Sequence, residues 1–155
     1  MVDLTAPFHV GVTVSNITEA MEMYSAGGGL TWHSLQSMDV ELLVDGKVVQ
    51  TGVRFTYSVE GPVQVELCEG PTGSFWDPGA YGGKYHIGYW TEDLPDDLEI
   101  LAAAGWKTRY TGVDPDGGPA GFAYLMGPDG QQIELVDVML KAAFANWYAG
   151  GDFAL

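Results

Sequence analysis

Two five-residue stretches, FHVGV at 8–12 and YHIGY at 85–89, place a histidine two residues before a glycine in apolar, strand-like surroundings. A histidine costs free energy to bury unless something pairs with it, so meeting the arrangement twice constrains the whole fold. A shift of 77 residues sets FHVGVTVSNITEAMEMYSAGGG over YHIGYWTEDLPDDLEILAAAGW without a gap. His9 then meets His86, Gly11 meets Gly88, Ile17 meets Leu94, Met21 meets Leu98 and Gly28 meets Gly105. A shift of 68 sets GPVQVELCE over DGQQIELVD, which brings Gln64 onto Gln132, Glu66 onto Glu134 and Leu67 onto Leu135. Matching ends whose shifts differ by nine residues describe a duplicated unit with one shortened loop.

Each unit opens on a short strand, 8–14 or 85–90, followed by a polar turn whose SN or TED supplies a helix cap. A helix of about ten residues follows, with Ile17, Met21 and Tyr24 on one face of the first and Leu94, Leu98 and Leu101 on that of the second. Gly27–Gly29 and Gly105 are the expected stops. Turn signals VDGK at 44–47, EGP at 60–62 and GPDG at 127–130 separate the remaining strands. Each unit therefore reads β-α-β-β-β, with modules at 6–70 and 83–138, a linker at 71–82 and a helix at 139–149. That helix is amphipathic and docks through Phe144, Trp147 and Tyr148. The fold class is α+β, a single domain over 1–155 made from the paired modules.

Composition narrows the partners. Six basic residues against 21 acidic ones give a formal charge of −15, and the six are scattered. Nucleic acid is thereby a poor partner, since phosphate binding is built on clustered Lys and Arg. Cys68 is the only cysteine, so there is no disulfide framework. The first ten residues lack the basic start and apolar core of a signal peptide, and no apolar run approaches the roughly 20 residues of a membrane helix. The expectation is a soluble cytoplasmic protein with no membrane partner.

Strand alternation places the histidines. His9, Gly11 and Thr13 share one face of their strand, as do His86, Gly88 and Trp90 of theirs. In the last strand of each unit, Gln64 and Glu66 oppose Val65 and Leu67, while Gln132 and Glu134 oppose Ile133 and Leu135. A polar residue alternating with valine is ordinarily the solvent face of a sheet. Four residues of two chemically apt types at equivalent repeat positions are harder to explain that way, and only three histidines exist in the chain. Pairing the modules about a pseudo-twofold would bring two imidazoles and two carboxylates together. That donor set suits a divalent first-row metal (Zn, Ni, Co, Mn or Fe) with positions left open. Calcium would favour all-oxygen ligation.

At these residues the chain resembles the vicinal oxygen chelate superfamily, which includes the glyoxalase I, methylmalonyl-CoA epimerase, extradiol dioxygenase and bleomycin-resistance families. It is most similar to the glyoxalase-like branch near the epimerases. FHVGVTVSNITEAM, GLTWHSL, VELCEGPTGSFW, YHIGYWTEDL and GFAYLMGPDGQQIELVD carry the resemblance across nearly the whole chain. It implies that the paired modules form a cupped mixed sheet, that His9, Glu66, His86 and Glu134 are metal ligands, that Glu134 or secondarily Glu66 moves a proton, and that the chain forms a homodimer. The implied activity is that of a metal-dependent isomerase, epimerase or lyase acting through an enolate or enediolate of a small apolar carbonyl substrate. The chain departs from the family in lacking a basic cluster to grip glutathione or a coenzyme A phosphate.

Several further residues invite a role. In GPTGSFWDPGAYGGKY at 70–85, Phe75, Trp76 or Tyr81 could touch an apolar substrate, or the segment could be a plain linker. VDPDGGPAGFAY at 113–124 reads as a mobile rim with Phe122 and Tyr124 near the pocket. Trp76, Trp90, Phe122 and Tyr124 are the substrate-contacting candidates. His33 falls over Tyr110 under the 77-residue shift and is expected to be structural, and Cys68 a small buried hydrophobe. Two rival functions stay open: a ferrous extradiol-type dioxygenase, which normally uses two histidines and one carboxylate, and metal-free sequestration of a cationic small molecule drawn by the acidic charge.

Overall fold

The computed structural model describes residues 1–80 and 85–154. The first module comprises β1 (His9–Thr13), α1 (Ile17–Gly28), β2 (Gln36–Val44), β3 (Lys47–Tyr57) and β4 (Gln64–Glu69). The second comprises β5 (Tyr85–Thr91), α2 (Leu94–Ala103), β6 (Lys107–Val113), β7 (Pro119–Met126) and β8 (Gln132–Asp137). A 3-10 turn, Val138–Leu140, then leads into α3 (Lys141–Tyr148). The order is the α+β, twice-repeated βαβββ arrangement with a final helix that the repeat implies. Among the described residues, no helix is long and apolar enough to cross a membrane.

Local chemistry sets the boundaries. The Asn16 side chain accepts the Glu19 N–H at 3.2 Å and starts α1, while Asp93 accepts the Asp96 N–H at 3.1 Å and starts α2. Gly29 ends α1 in the left-handed region at φ 73°, its N–H donating to Ser25 O at 2.9 Å. Asp45 and Gly46, at φ 49° and 73°, form the tight turn that joins β2 to β3.

The eight strands close in the order β1-β4-β3-β2-β6-β7-β8-β5. Within the modules, β1 runs parallel to β4 and β5 parallel to β8. The modules join antiparallel through β1 and β5, with Val10 opposite Ile87 at the centre. They meet again on the far side, where Leu42 pairs with Gly112 and Leu43 with Thr111. This second seam turns the expected cup into a closed barrel.

Alternation divides the core into an outer and an inner part. Leu67 and Val12 pack outward against Ile17 and Ala20 of α1. Ile133 and Leu135 pack against Leu94 and Leu101 of α2. Burying each such side chain is worth about 1.5–3 kcal/mol, which fixes the register and turns the opposite face of these strands inward. Inside the barrel, Phe55, Tyr57, Cys68, Tyr124 and Val136 meet Phe144 and Trp147 of α3.

One buried acid escapes the helix pattern. Asp97 of α2 is 1% exposed. It accepts the Thr91 hydroxyl at 2.6 Å and the Val2 N–H at 2.9 Å, and the amino group of Met1 stands 3.3 Å away.

Candidate metal centre

His9, Glu66, His86 and Glu134 converge inside the barrel, one ligand atom of each lying within 4.8 Å of all the others. All four are buried, so the solvent-face reading of their strands does not apply. The register produces this arrangement directly. Across neighbouring strands, Glu66, Gly11 and His86 form one row, and Glu134, Gly88 and His9 form the other. A Cβ on Gly88 would stand 1.8 Å from His9 Cε1, so each glycine provides the space that the histidine of the other module occupies.

Within a row, His86 Nε2 lies 2.9 Å from Glu66 Oε2, and His9 Nε2 lies 3.0 Å from Glu134 Oε2. Between rows, His9 to Glu66 is 3.4 Å, His86 to Glu134 is 3.3 Å, and the two Nε2 atoms are 3.1 Å apart. These separations are of ion-pair length, yet among the described residues neither Oε2 has a partner in hydrogen-bond geometry, and neither do the Nδ1 atoms. Four polar atoms directed at one shared point need not lie along each other's N–H bonds. Burial by itself would lower the His86 pKa, but Glu134 and Glu66 outweigh it and hold the imidazole up at about 9. Burial by itself would raise Glu134, but His86 and His9 bring it down to about 2.

The residues fit a divalent cation. Ligands about 2.1 Å from a shared ion lie about 3.0–3.4 Å from one another at octahedral or tetrahedral angles, and the five separations run from 2.9 to 3.4 Å. Buried oxygens without directed partners are rare and suit the role of ligands. Two imidazoles and two carboxylates from one chain complete the set, so no second copy is needed to assemble it.

Two tyrosines extend the pseudo-symmetry. Tyr57 pairs with Glu66 across β3 and β4, and Tyr124 pairs with Glu134 across β7 and β8. The Tyr57 ring stands edge-on to His9 at 5.2 Å and the Tyr124 ring to His86 at 4.9 Å. The Tyr124 hydroxyl is 3.5 Å from His86 Nε2. Burial, followed by the two carboxylates, pushes both phenols well above their ordinary pKa and keeps them neutral.

A cavity of about 100 Å³ opens over Glu66 and Glu134. Its sides come from Met38, Val40, Val53 and Phe55 of β2 and β3, and from Trp76, Phe122 and Tyr124. Of the substrate-contacting candidates, Trp76, Phe122 and Tyr124 line this cavity. Trp90 does not line the cavity: it stacks on Phe8 at 4.0 Å and meets Phe144 edge-on at 5.5 Å. Phe122 and Tyr124 belong to strand β7 rather than a mobile rim, because they pair with Val136 and Glu134. Phe75 packs on Tyr110 at 4.3 Å, and Tyr81 lies outside the described residues. His33 stacks on Tyr148 at 4.1 Å, away from the quartet, and Cys68 is buried on the cavity wall. The sequence reading missed Tyr57, and it missed Leu140, Phe144 and Phe153 as cavity residues.

The profile of the glyoxalase/bleomycin resistance protein/dioxygenase superfamily matches residues 8–124. The chain belongs to this superfamily. Its fold is similar to that of methylmalonyl-CoA epimerase from Mycobacterium tuberculosis, with TM-score 0.56, 19% identity, and coverage of 90% of this chain and 92% of that one. It is also similar to a variant of the Streptomyces coelicolor methylmalonyl-CoA epimerase in complex with 2-nitronate-propionyl-CoA, with TM-score 0.53, 17% identity, and coverage of 87% and 98%. A hypothetical protein from Bacillus halodurans gives TM-score 0.55, 14% identity, and coverage of 84% and 92%. No curated protein matches the sequence.

Proposed function

We propose that this member of the superfamily is a metal-dependent isomerase or epimerase that moves a proton next to the carbonyl of a small apolar substrate. The observation that carries the reading is the convergence of His9, Glu66, His86 and Glu134 on one point, with Glu66 and Glu134 facing an otherwise apolar cavity. A divalent cation held by these four residues would supply Lewis acidity, polarising a carbonyl and acidifying the neighbouring C–H.

The chain's own groups do the rest. The Glu134 carboxylate, ionised far below neutral pH, accepts the proton and returns it. Glu66, related to it by the pseudo-twofold, faces the same space and can serve the opposite side of the reacting carbon. The neutral hydroxyls of Tyr57 and Tyr124 are donors available to an oxygen that gains negative charge. The apolar sides exclude water, which strengthens each of these interactions. The fold likeness to the epimerases supports the reaction type. The scattered basic residues weigh against a bulky anionic substrate such as a coenzyme A ester.

The test is deuterium uptake from heavy water into a panel of α-hydroxy ketones and 2-methyl acyl esters by zinc-loaded protein, followed by proton NMR. Exchange that disappears in Glu134→Gln is the expected result. Exchange unchanged in Glu134→Gln removes that residue as the base, while oxygen uptake with catechols by iron-loaded protein would replace the isomerase reading with ring cleavage.

A further inference from the structure

One side of the cavity is built by the segment after β8, which lies beyond the 8–124 stretch matched by the superfamily profile. Leu140, Phe144 and Phe153 all face the cavity from this segment. Directed bonds hold it in place. Trp147 Nε1 donates to Ser34 O at 2.9 Å and to Ser34 Oγ at 2.8 Å. The Tyr148 hydroxyl donates to Gln64 Oε1 at 2.9 Å, on the strand that carries Glu66. Beyond the helix, Asn146 Nδ2 donates to Asp152 O at 2.7 Å and turns the chain back. That return sets the Phe153 ring edge-on to Phe144 at 5.1 Å and to Phe55 at 5.4 Å.

We infer that residues 138–154 are the specificity element of the site, admitting a compact uncharged alkyl or aryl group beside the four ligating residues and excluding long or anionic substituents. The inference rests on the metal-dependent reading above. A cavity of about 100 Å³ is somewhat smaller than the one of roughly 150 Å³ that accepts benzene, so a single small ring or branched chain fills it. Phe144 and Phe153 form part of the wall that such a group meets. Among the described residues, no Lys or Arg lines the cavity, whereas Glu66 and Glu134 do. A carboxylate on the far side of the substrate would therefore be desolvated against apolar walls with no basic side chain to pair with it.

Calorimetric titration of the full zinc-loaded protein with three oxygen-chelating hydroxamates tests this. The probes are benzohydroxamate, its para-phenyl derivative and its para-carboxy derivative. The wild type should bind the first at least about tenfold more tightly than either of the others. Phe153→Ala and Phe144→Ala should each bring the para-phenyl compound to within about threefold of benzohydroxamate while leaving the para-carboxy compound weak. Phe153 is only partly buried, so Phe153→Ala keeps the test decisive if Phe144→Ala fails to fold. Equal binding of all three probes by the wild type, or wild-type selectivity in Phe153→Ala, overturns the inference alone. Failure of the wild type to hold zinc overturns it together with the metal reading.

Discussion

Gly11 lies directly beneath the imidazole of His86: a Cβ there would stand 1.8 Å from His86 Cε1 and 2.1 Å from Nε2. Gly88 stands in the same relation to His9, so each module clears the ground for the other's ligand.

Gly11→Ala should therefore displace the His86 ring, at a cost of about 1–3 kcal/mol in stability from overpacking. Zinc affinity should fall at least about tenfold in Gly11→Ala and in Gly88→Ala alike. Competition with a chromophoric chelator measures the affinity, and circular dichroism checks the fold. Wild-type affinity in both variants would show that the rings are placed by something other than this space.

Removing the proton carrier should spare the fold. Glu134→Gln keeps one oxygen ligand but loses the base, and exchange into a responsive substrate should drop by about 10²–10⁴-fold. Glu66→Gln should fall less if Glu134 alone moves the proton, and equally if both faces of the carbon are served. Parallel NMR time courses on the two variants distinguish the cases.

The metal-free protein should have a distinctive pH profile. His86, raised from 6.5 to about 9 by Glu134 and Glu66 against the opposing effect of burial, stabilises the fold below pH 6.5 and stops doing so as pH rises through about 9. Glu134, lowered from 4.5 to about 2 by the histidines against burial, stabilises it above pH 4.5 and stops doing so as pH falls through about 2. Unfolding midpoints of chelator-treated protein should peak between about pH 4.5 and 6.5. Because a cation competes with the proton on His86, zinc should bind more tightly, and raise the midpoint further, as pH climbs from 6.5 towards 9. A His86→Ala variant with the wild-type profile would contradict this.

Asp97 offers a stability test remote from the site. Asp97→Ala leaves the Thr91 hydroxyl and the Val2 N–H without their acceptor, and should cost about 2–4 kcal/mol. Urea unfolding reads the loss, and zinc affinity should not change.

The duplicated histidine, glycine and glutamate positions were legible because sheet alternation and repeat spacing depend only on local periodicity. The matching glycines share a strand face with the histidines in the sequence, though only pairing across modules shows that each serves the opposite histidine. Tyr57 stayed hidden because it precedes Glu66 by nine residues, whereas Tyr124 precedes Glu134 by ten, so no single shift superposes them. Trp90 shares a strand face with His86, but its ring stacks on Phe8 and does not line the cavity. Asp97 gives no signal in the sequence, because one of its partners lies 95 residues distant. The seam between β2 and β6, and the fold-back that brings Phe153 to Phe55, are likewise long-range and leave no periodic trace.

The antiparallel pairing of β1 with β5 within one chain has a genetic corollary. Both histidines and both glutamates are encoded in a single reading frame and meet without exchange between molecules. Two alleles, one carrying His9→Ala and the other His86→Ala, should therefore fail to complement when co-expressed, each polypeptide keeping its own broken half of the pair.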